Sequence, residues 1–411
     1  MRQLAFVCAI VASAAMVLAS DPITRDEYRS RRAELRKTLE GPLVLFGRGE
    51  GPDEVFRAFQ EPNFYYLTGW QEPGAILLLT KSEEILFLPR RNSRREIYMG
   101  HRTAAEDANA PAETGFDSVL PVERFESQFA KALDSGPEVY ALADRAETDR
   151  LKSLAPLREI SGAGTLVAKL RVKKSPAEIA AIQHATDISV QAQRDAWKHV
   201  RAGGTEYEAA GAFMGALIAS GCEGPAYAPI FGSGPNSTTL HYSANSRRMD
   251  AGELIVIDAA ARCGGYTSDI TRTLPVSGRF TPRQREIYDI VLGAQKAAIA
   301  AIKPGATFSS LTSAAREYIN AHGKDSKGNP LGKYLPHGVS HSVGLDVHDP
   351  AGGVNTLSAG MVITVEPGIY IPEERIGVRI EDTVLVTENG AKIMSGALPR
   401  EPDEVEKALA K

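Results

Sequence analysis

The chain has 411 residues, 43% hydrophobic and 24% charged, which is ordinary globular composition and enough length for two domains. Its formal net charge of -4 gives no electrostatic case for nucleic acid. The short basic cluster Arg90-Arg91 with Arg94-Arg95 reads as a solvated loop or a subunit contact.

At the N-terminus Arg2 precedes an apolar run from Leu4 to Leu18, and polar Ser20-Asp21-Pro22 follows. This is the pattern of a secretory signal peptide cleaved near Ala19 or Ser20, since the run is shorter than the ~20 residues that span a bilayer. Residues 1–20 are expected to leave, Cys8 with them, giving an exported bacterial protein, periplasmic or secreted, with no stable membrane insertion. Cys222 and Cys263 remain, too few for a disulfide framework, and buried thiols are the expectation.

From Tyr28 to about Leu166, helical segments alternate with short apolar runs at Leu43 to Phe46, Ala75 to Leu79 and Ile85 to Leu88, an α/β layout. A break at Gly162-Ala-Gly164 divides the chain into residues 21–166 and 167–411. Ser175-Pro-Ala-Glu178 is a capping box with proline at the first helical position, and it starts a helix from Pro176 to about Val200. Thr205-Glu-Tyr-Glu208 starts the next, within which Gly211 and Gly215 predict close helix packing. Thr281-Pro-Arg-Gln284 opens a third helix, with Pro304-Gly305 marking its end.

The second domain is internally duplicated. Ala251-Gly-Glu-Leu-Ile-Val-Ile-Asp258 recurs 108 positions on as Ala359-Gly-Met-Val-Ile-Thr-Val-Glu366, and Arg201-Ala-Gly-Gly-Thr205 recurs as Lys303-Pro-Gly-Ala-Thr307 at an offset of 102. The unit is two helices and then strands, used twice, and so long a period denotes a duplicated domain rather than a solenoid. Each copy ends an apolar run on a carboxylate, Asp258 or Glu366, and a second acid follows, Asp269 or Glu381. Four carboxylates converging between two halves are costly to desolvate unless balanced, and two divalent cations supply the charge. In a strand from Val378 to Val386, Arg379 and Glu381 share one face and Val378, Ile380 and Asp382 the other.

Three of the eight histidines, His337, His341 and His348, lie within 12 residues beside the second acid pair, and His241 lies upstream. Mixed Asp, Glu and His donors suit Mn²⁺, Co²⁺ or Zn²⁺ better than a thiolate-seeking metal, with Mn²⁺ first. The chain has no Gly-x-Ser-x-Gly elbow, no His-Glu-x-x-His helix and no Walker loop, which removes serine-nucleophile and single-zinc protease readings.

The segments Leu240-His-Tyr242, Tyr266-Thr-Ser-Asp-Ile-Thr-Arg-Thr273, Pro336-His-Gly-Val-Ser-His341, Val347-His-Asp349, Val365-Glu-Pro-Gly-Ile-Tyr370 and Val378-Arg-Ile-Glu-Asp382 together resemble the pita-bread metallopeptidases, and within them the aminopeptidase P branch. Asn63-Phe-Tyr-Tyr-Leu-Thr-Gly69 with Glu72-Pro73-Gly74 is similar to the accessory domain that branch shares with prolidases. The resemblance implies an α/β N-terminal domain followed by an α+β pita-bread catalytic domain with a pseudo-two-fold axis. It implies a metal set in which Asp258 binds one ion, Asp269 and Glu381 bridge, and His341 with Glu366 completes the other. A hydroxide between the ions would then attack the peptide carbonyl. By the same matching His337 and His348 hydrogen-bond the carbonyl and the tetrahedral intermediate, His241 positions substrate, Glu366 shuttles a proton, and Arg379 ties the histidine network to the site, with Tyr370 at its edge.

The activity this implies is release of the first residue from peptides with proline second, by a homo-oligomer, a dimer or tetramer. The alternatives are an Xaa-Pro dipeptidase and a non-catalytic peptide-binding module on the same fold. Serine at Ser340 in Gly338-Val-Ser340-His341, where prolidases tend to have glycine, points to the aminopeptidase.

Overall fold

A computed structural model describes residues 23–49, 59–142 and 147–410; the N-terminal leader and its cleavage position lie outside the described residues. The apolar runs of the first domain become the centre of a six-stranded sheet. Its order is Val119–Pro121, Glu84–Leu88, Ile76–Leu79, Leu43–Phe46, Val139–Ala141 and Ile160–Gly162. The middle three strands pair antiparallel, and the outer ones add in parallel on either side. Ile76, Leu77, Leu78 and Leu79 are all buried, because helices cover both faces, and a strand buried on both sides reads as an unbroken apolar run rather than an alternating one.

In the second domain the three predicted caps, and a fourth at Thr307, set the helices. Ser175 and Glu178 cap the Pro176–Trp197 helix reciprocally, Thr205 and Glu208 the Glu206–Ala219 helix, Thr281 and Gln284 the Pro282–Ala300 helix, and Thr307 and Ser310 the Phe308–His322 helix. Each helix pair backs a small sheet. The first half orders Thr271–Pro275, Leu254–Asp258 and Ile230–Ser233; the second orders Val362–Val365, Asp382–Thr387 and Gly390–Ile393, beside the hairpin Gly368–Ile371 with Ile376–Arg379. The apolar faces of both halves merge into one core that includes Ile255, Ile257, Leu274, Val291, Ile363, Val365 and Val384.

Buried charges hold the first domain against the second. Arg171 donates to Asn63 Oδ1 of the first domain and to Asp346 and Asp349 of the second, and Lys174 donates to Asp349 Oδ2 at 3.1 Å. Arg31 pairs with Glu178, whose other oxygen accepts the Tyr266 hydroxyl at 3.0 Å. Removing one member of such a set strands a desolvated charge, so these contacts fix how the domains sit rather than adding much net stability. Asp349 directly follows His348, so the domain contact also fixes the loop that carries this histidine.

Three expectations are corrected. The Val378 to Val386 segment is two strands, Ile376–Arg379 and Asp382–Thr387, parted at Ile380-Glu381, although the two-face assignment survives because Asp382 points away from the cavity to Arg272 and Arg400. Gly211 and Gly215 are exposed, and an added Cβ at either would meet nothing within 4 Å, so they serve no close helix packing.

Cys222 and Cys263 form a disulfide. The antiparallel pairing of Gly224 with Arg262 and the bond from Glu223 N–H to Arg262 O bring the two cysteines to a Cα separation of 4.4 Å. The bridge joins cysteines at a sequence separation of 41 and closes a loop that contains Asp258. Replacing both cysteines by serine is expected to cost on the order of 2–4 kcal/mol of stability. Thermal unfolding under oxidising and reducing conditions checks this, and identical midpoints would contradict it.

Candidate active site

The predicted residues converge on one cavity of about 640 Å³ between the two halves. Asp258, Asp269, His341, Glu366 and Glu381 line it together with His241, His337, His348 and Arg379, so all nine of these residues reach the same space.

The strands deliver the carboxylates where their pairing ends. Asp258 closes its strand opposite Thr271, and Glu366 follows Val365 at the end of the matching strand. Each half then clamps the acid of the other. The Thr271 hydroxyl donates to Glu381 Oε2 at 2.6 Å while Glu381 N–H donates to Thr271 O, and Thr383 Oγ1 accepts from Asp269 N–H at 3.1 Å and donates to Asp269 O at 2.8 Å. Thr271 and Thr383 each stand two residues after the acid of their own half, a second relic of the duplication.

Oxygen atoms of Asp269 and Glu381 and a nitrogen of His341 lie within 4.8 Å of one another, a spacing that can hold one divalent ion. His341 Nε2 is 3.5 Å from Asp269 Oδ2 and 3.3 Å from Glu366 Oε1, which puts Glu366 on the histidine side. Asp258 lies on the other side, where Arg379 Nη2 donates to its Oδ2 at 2.6 Å and the Tyr227 hydroxyl donates to its Oδ1.

The electrostatics follow from crowding. Burial pushes the Asp269 carboxyl up to about 6 against a compensating bond to His341, and burial together with the charges of Asp269, Glu366 and Asp258 drives Glu381 well up. Glu366 is buried too, yet contact with His341, the His341 charge and the Arg379 charge hold it below its ordinary value. With His341 neutral, as a metal ligand must be, four carboxylates against one guanidinium leave three formal negative charges, which one divalent ion cannot neutralise and two can. The hard oxygen and imidazole donors, with no thiolate near, suit such ions.

Around this centre, His337 Nδ1 faces Gly338 O at 2.8 Å, which puts its proton there and leaves Nε2 to accept from the Tyr370 hydroxyl at 3.1 Å. Tyr370 in turn accepts from Arg379 Nη1 at 2.8 Å, so a single chain runs from His337 to Asp258. Tyr370 is therefore a buried link between His337 and Arg379 and is not itself among the residues that line the cavity. His348 stacks on His341 at 4.0 Å, and burial and the His341 charge lower its basicity, keeping it neutral. His241 is carried on a loop anchored by buried Glu206, which accepts from Ser233 N–H, the Tyr242 hydroxyl at 2.7 Å and Arg247 N–H. Tyr227, Thr271, Thr383 and Glu206 escaped sequence reasoning: each is a common residue with no distinctive neighbours, and only Thr271 and Thr383 carried a usable signal, their matching places in the repeat.

Residues 180–388 match metallopeptidase family M24, and residues 28–140 match the aminopeptidase P N-terminal domain. The chain belongs to metallopeptidase family M24. It is 34% identical to the Xaa-Pro aminopeptidase of Escherichia coli, with 93% of this chain and 97% of that protein covered. It is 35% identical to an Xaa-Pro dipeptidase of Pyrococcus horikoshii, covering 81% of this chain and 90% of that one. The solved aminopeptidase P from E. coli with the inhibitor Pro-Leu superposes with a TM-score of 0.85 at 32% identity, covering 94% of this chain and 98% of that structure. The expected architecture, an α/β accessory domain before a pita-bread catalytic domain, is thus that of the family, and the chain is a metallopeptidase that uses divalent metal ions.

Metal binding should compete with protons. Raised carboxyls keep a proton in the folded state that the unfolded chain has already released, so between about pH 4 and 6 the metal-free fold loses stability as pH rises, and a cation recovers it. Calorimetric Mn²⁺ titrations are expected to show affinity falling as pH drops through about 6, with protons released on binding; pH-independent affinity would contradict the placement of Asp269 and Glu381.

Proposed function

We propose that this chain is a dinuclear-metal aminopeptidase that releases the N-terminal residue from peptides whose second residue is proline. The observation that carries this reading is the complete donor set in one cavity, on a chain that aligns over nearly its whole length with Xaa-Pro aminopeptidases.

In this reading Asp258 would hold one ion and His341 with Glu366 the other, while Asp269 and Glu381 would serve both. When bound, the ions balance the carboxylate charge, lower the pKa of a water toward ~7 for attack on the peptide carbonyl, and polarise that carbonyl. The protein does the rest. Arg379 orients Asp258 while contributing a positive charge that no ion has to supply. Glu366, kept ionised by His341 and its neighbours, takes the proton released as water attacks and passes it to the departing proline nitrogen. That nitrogen belongs to a tertiary amide with no N–H, so it needs a delivered proton to leave as an amine. His348, held neutral by burial, donates to the substrate carbonyl and to the charge that develops there, with His337 beside it on the Tyr370 and Arg379 chain; His241 positions the peptide. Manganese is the first choice of metal, with cobalt or zinc next, from the oxygen-rich donors.

The same reading places the enzyme outside the cytoplasm, as a homo-oligomer. The Leu4 to Leu18 leader supports export, and so does the Cys222–Cys263 bond, which persists in oxidising compartments. Recovery of the mature protein from cytoplasm alone would overturn this placement.

A second reading, the Xaa-Pro dipeptidase, is supported by the similarity to the Pyrococcus enzyme. The assay that separates them is hydrolysis of an Xaa-Pro-Yaa tripeptide beside an Xaa-Pro dipeptide, with Mn²⁺ and after chelation. The aminopeptidase predicts tripeptide cleavage that chelation abolishes. Asp269→Ala should lower it by more than roughly a hundredfold, the upper range for partners one shell further out. Dipeptide-only cleavage would move the assignment to the dipeptidase, and cleavage of neither would leave a peptide-binding module.

A further inference from the structure

Two buried glutamines occupy matching places in the two halves. Gln193 lies on the Pro176–Trp197 helix and Gln295 on the Pro282–Ala300 helix, 102 positions apart, the same offset that relates Thr205 to Thr307. Both are fully buried. Gln193 Nε2 donates to the carbonyls of Ala259 and Ile270, each at 3.1 Å. Gln295 Nε2 donates to the carbonyls of Val365 and Ile380, each at 3.2 Å, and faces Asp382 Oδ2 at 3.1 Å. Ala259 and Ile270 directly follow Asp258 and Asp269; Val365 and Ile380 directly precede Glu366 and Glu381. Each amide therefore spans the two chain segments that present one half's pair of carboxylates.

The amides are oriented, not merely enclosed. Gln193 Oε1 accepts the Trp197 indole N–H at 3.2 Å, and Gln295 Oε1 accepts from Arg400 Nη1 at 3.2 Å, so in both the NH₂ end must face the carbonyls. The position is also distinctive. The regular ladder of the first half stops at Thr271 and Asp258, and that of the second at Val365 and Asp382. Beyond these points the strands part to send the acids into the cavity; in the first half the bonds from Ala259 N–H to Ile270 O and from Ser268 N–H to Ala261 O cross the gap before regular pairing resumes at Arg262 and Thr267. A primary amide offers two N–H groups without adding charge, which is what bridging two parting carbonyls beside four carboxylates requires.

We propose that Gln193 and Gln295 are positioning residues for the metal centre, each setting the spacing of one half's carboxylates: Gln193 that of Asp258 and Asp269, Gln295 that of Glu366 and Glu381. This rests on the two-ion reading of the cavity. Because each pair joins a bridging acid, Asp269 or Glu381, to an acid that serves one ion, Asp258 or Glu366, each glutamine bears most on the ion its unshared acid serves and less on the other.

The test is Mn²⁺ binding, followed by calorimetry and by the paramagnetic resonance of the bound ions, in the full chain and in Gln193→Met and Gln295→Met. Asp258→Ala and His341→Ala identify which binding step belongs to which side, and thermal unfolding checks that each variant is folded. Gln193→Met is expected to weaken the Asp258-dependent step by roughly tenfold or more, and Gln295→Met the His341-dependent step, each weakening the other step by a smaller factor. Folded variants that bind both ions as the unaltered protein does, or that lose both equally, would overturn the proposal. Should the methionine variants fail to fold, Trp197→Phe decides for Gln193: selective weakening of the Asp258-dependent step supports it, and unchanged binding overturns it. If the unaltered chain binds fewer than two ions, the two-ion reading falls and takes this inference with it, whereas two-ion binding with insensitive variants removes this inference alone.

Discussion

Burying four carboxylates in one cavity is the constraint around which the catalytic domain is arranged. Like charges brought together in a low-dielectric space repel and lose their hydration, and the fold tolerates them only with compensating positive charge at hand. Arg379 supplies part of it, through a bond to Asp258 that is itself buried. The remaining imbalance appears as carboxyl groups held above their ordinary range, Asp269 and Glu381. An enzyme that must hold divalent ions tightly gains from this: the metal-free site is poorly satisfied, so the ions relieve repulsion as well as forming bonds.

Duplication provides the geometry. One structural unit presents a carboxylate at the end of an apolar strand and another shortly after the turn, and two copies facing each other close the set. Thr271 and Thr383 bind across the pseudo-axis, so neither half holds its acids alone. Behind Glu381, the fully buried Arg272 and Asp382 pair locks the second half to the first, and Arg400 adds a further contact to Asp382. The copies have diverged where the chemistry needs asymmetry. Only the second half carries the histidine-rich segment, and its His348 loop is tied through Asp349, Arg171 and Asn63 to the accessory domain.

What could be read in advance follows physical locality. Helix starts were legible because a capping box is complete within four residues, and the acid pairs were legible because a repeat of apolar run and carboxylate is improbable by chance. The ligand roles of His341 and Glu366 came from resemblance, and the cavity places His341 beside both Asp269 and Glu366. The Cys222–Cys263 bond was not legible, since it depends on an antiparallel register between Gly224 and Arg262 that leaves no periodic trace. The break at Ile380-Glu381 was hidden because alternation of buried and cavity-facing residues continues across it. Exposure of Gly211 and Gly215 depends on which face of their helix packs, and a helix almost evenly apolar around its circumference does not announce that. Glu206 and the threonine clamps act through contacts between distant segments, which a single sequence does not display.

The central claim is that this cavity holds two divalent ions between the halves. Anomalous diffraction at the manganese edge, from crystals of the mature protein grown with Mn²⁺, tests it most directly. Two peaks are expected, one against Asp258 and one against His341 and Glu366, with Asp269 and Glu381 touching both. A single peak, or peaks that leave Asp258 or Glu366 without a metal contact, would contradict the account.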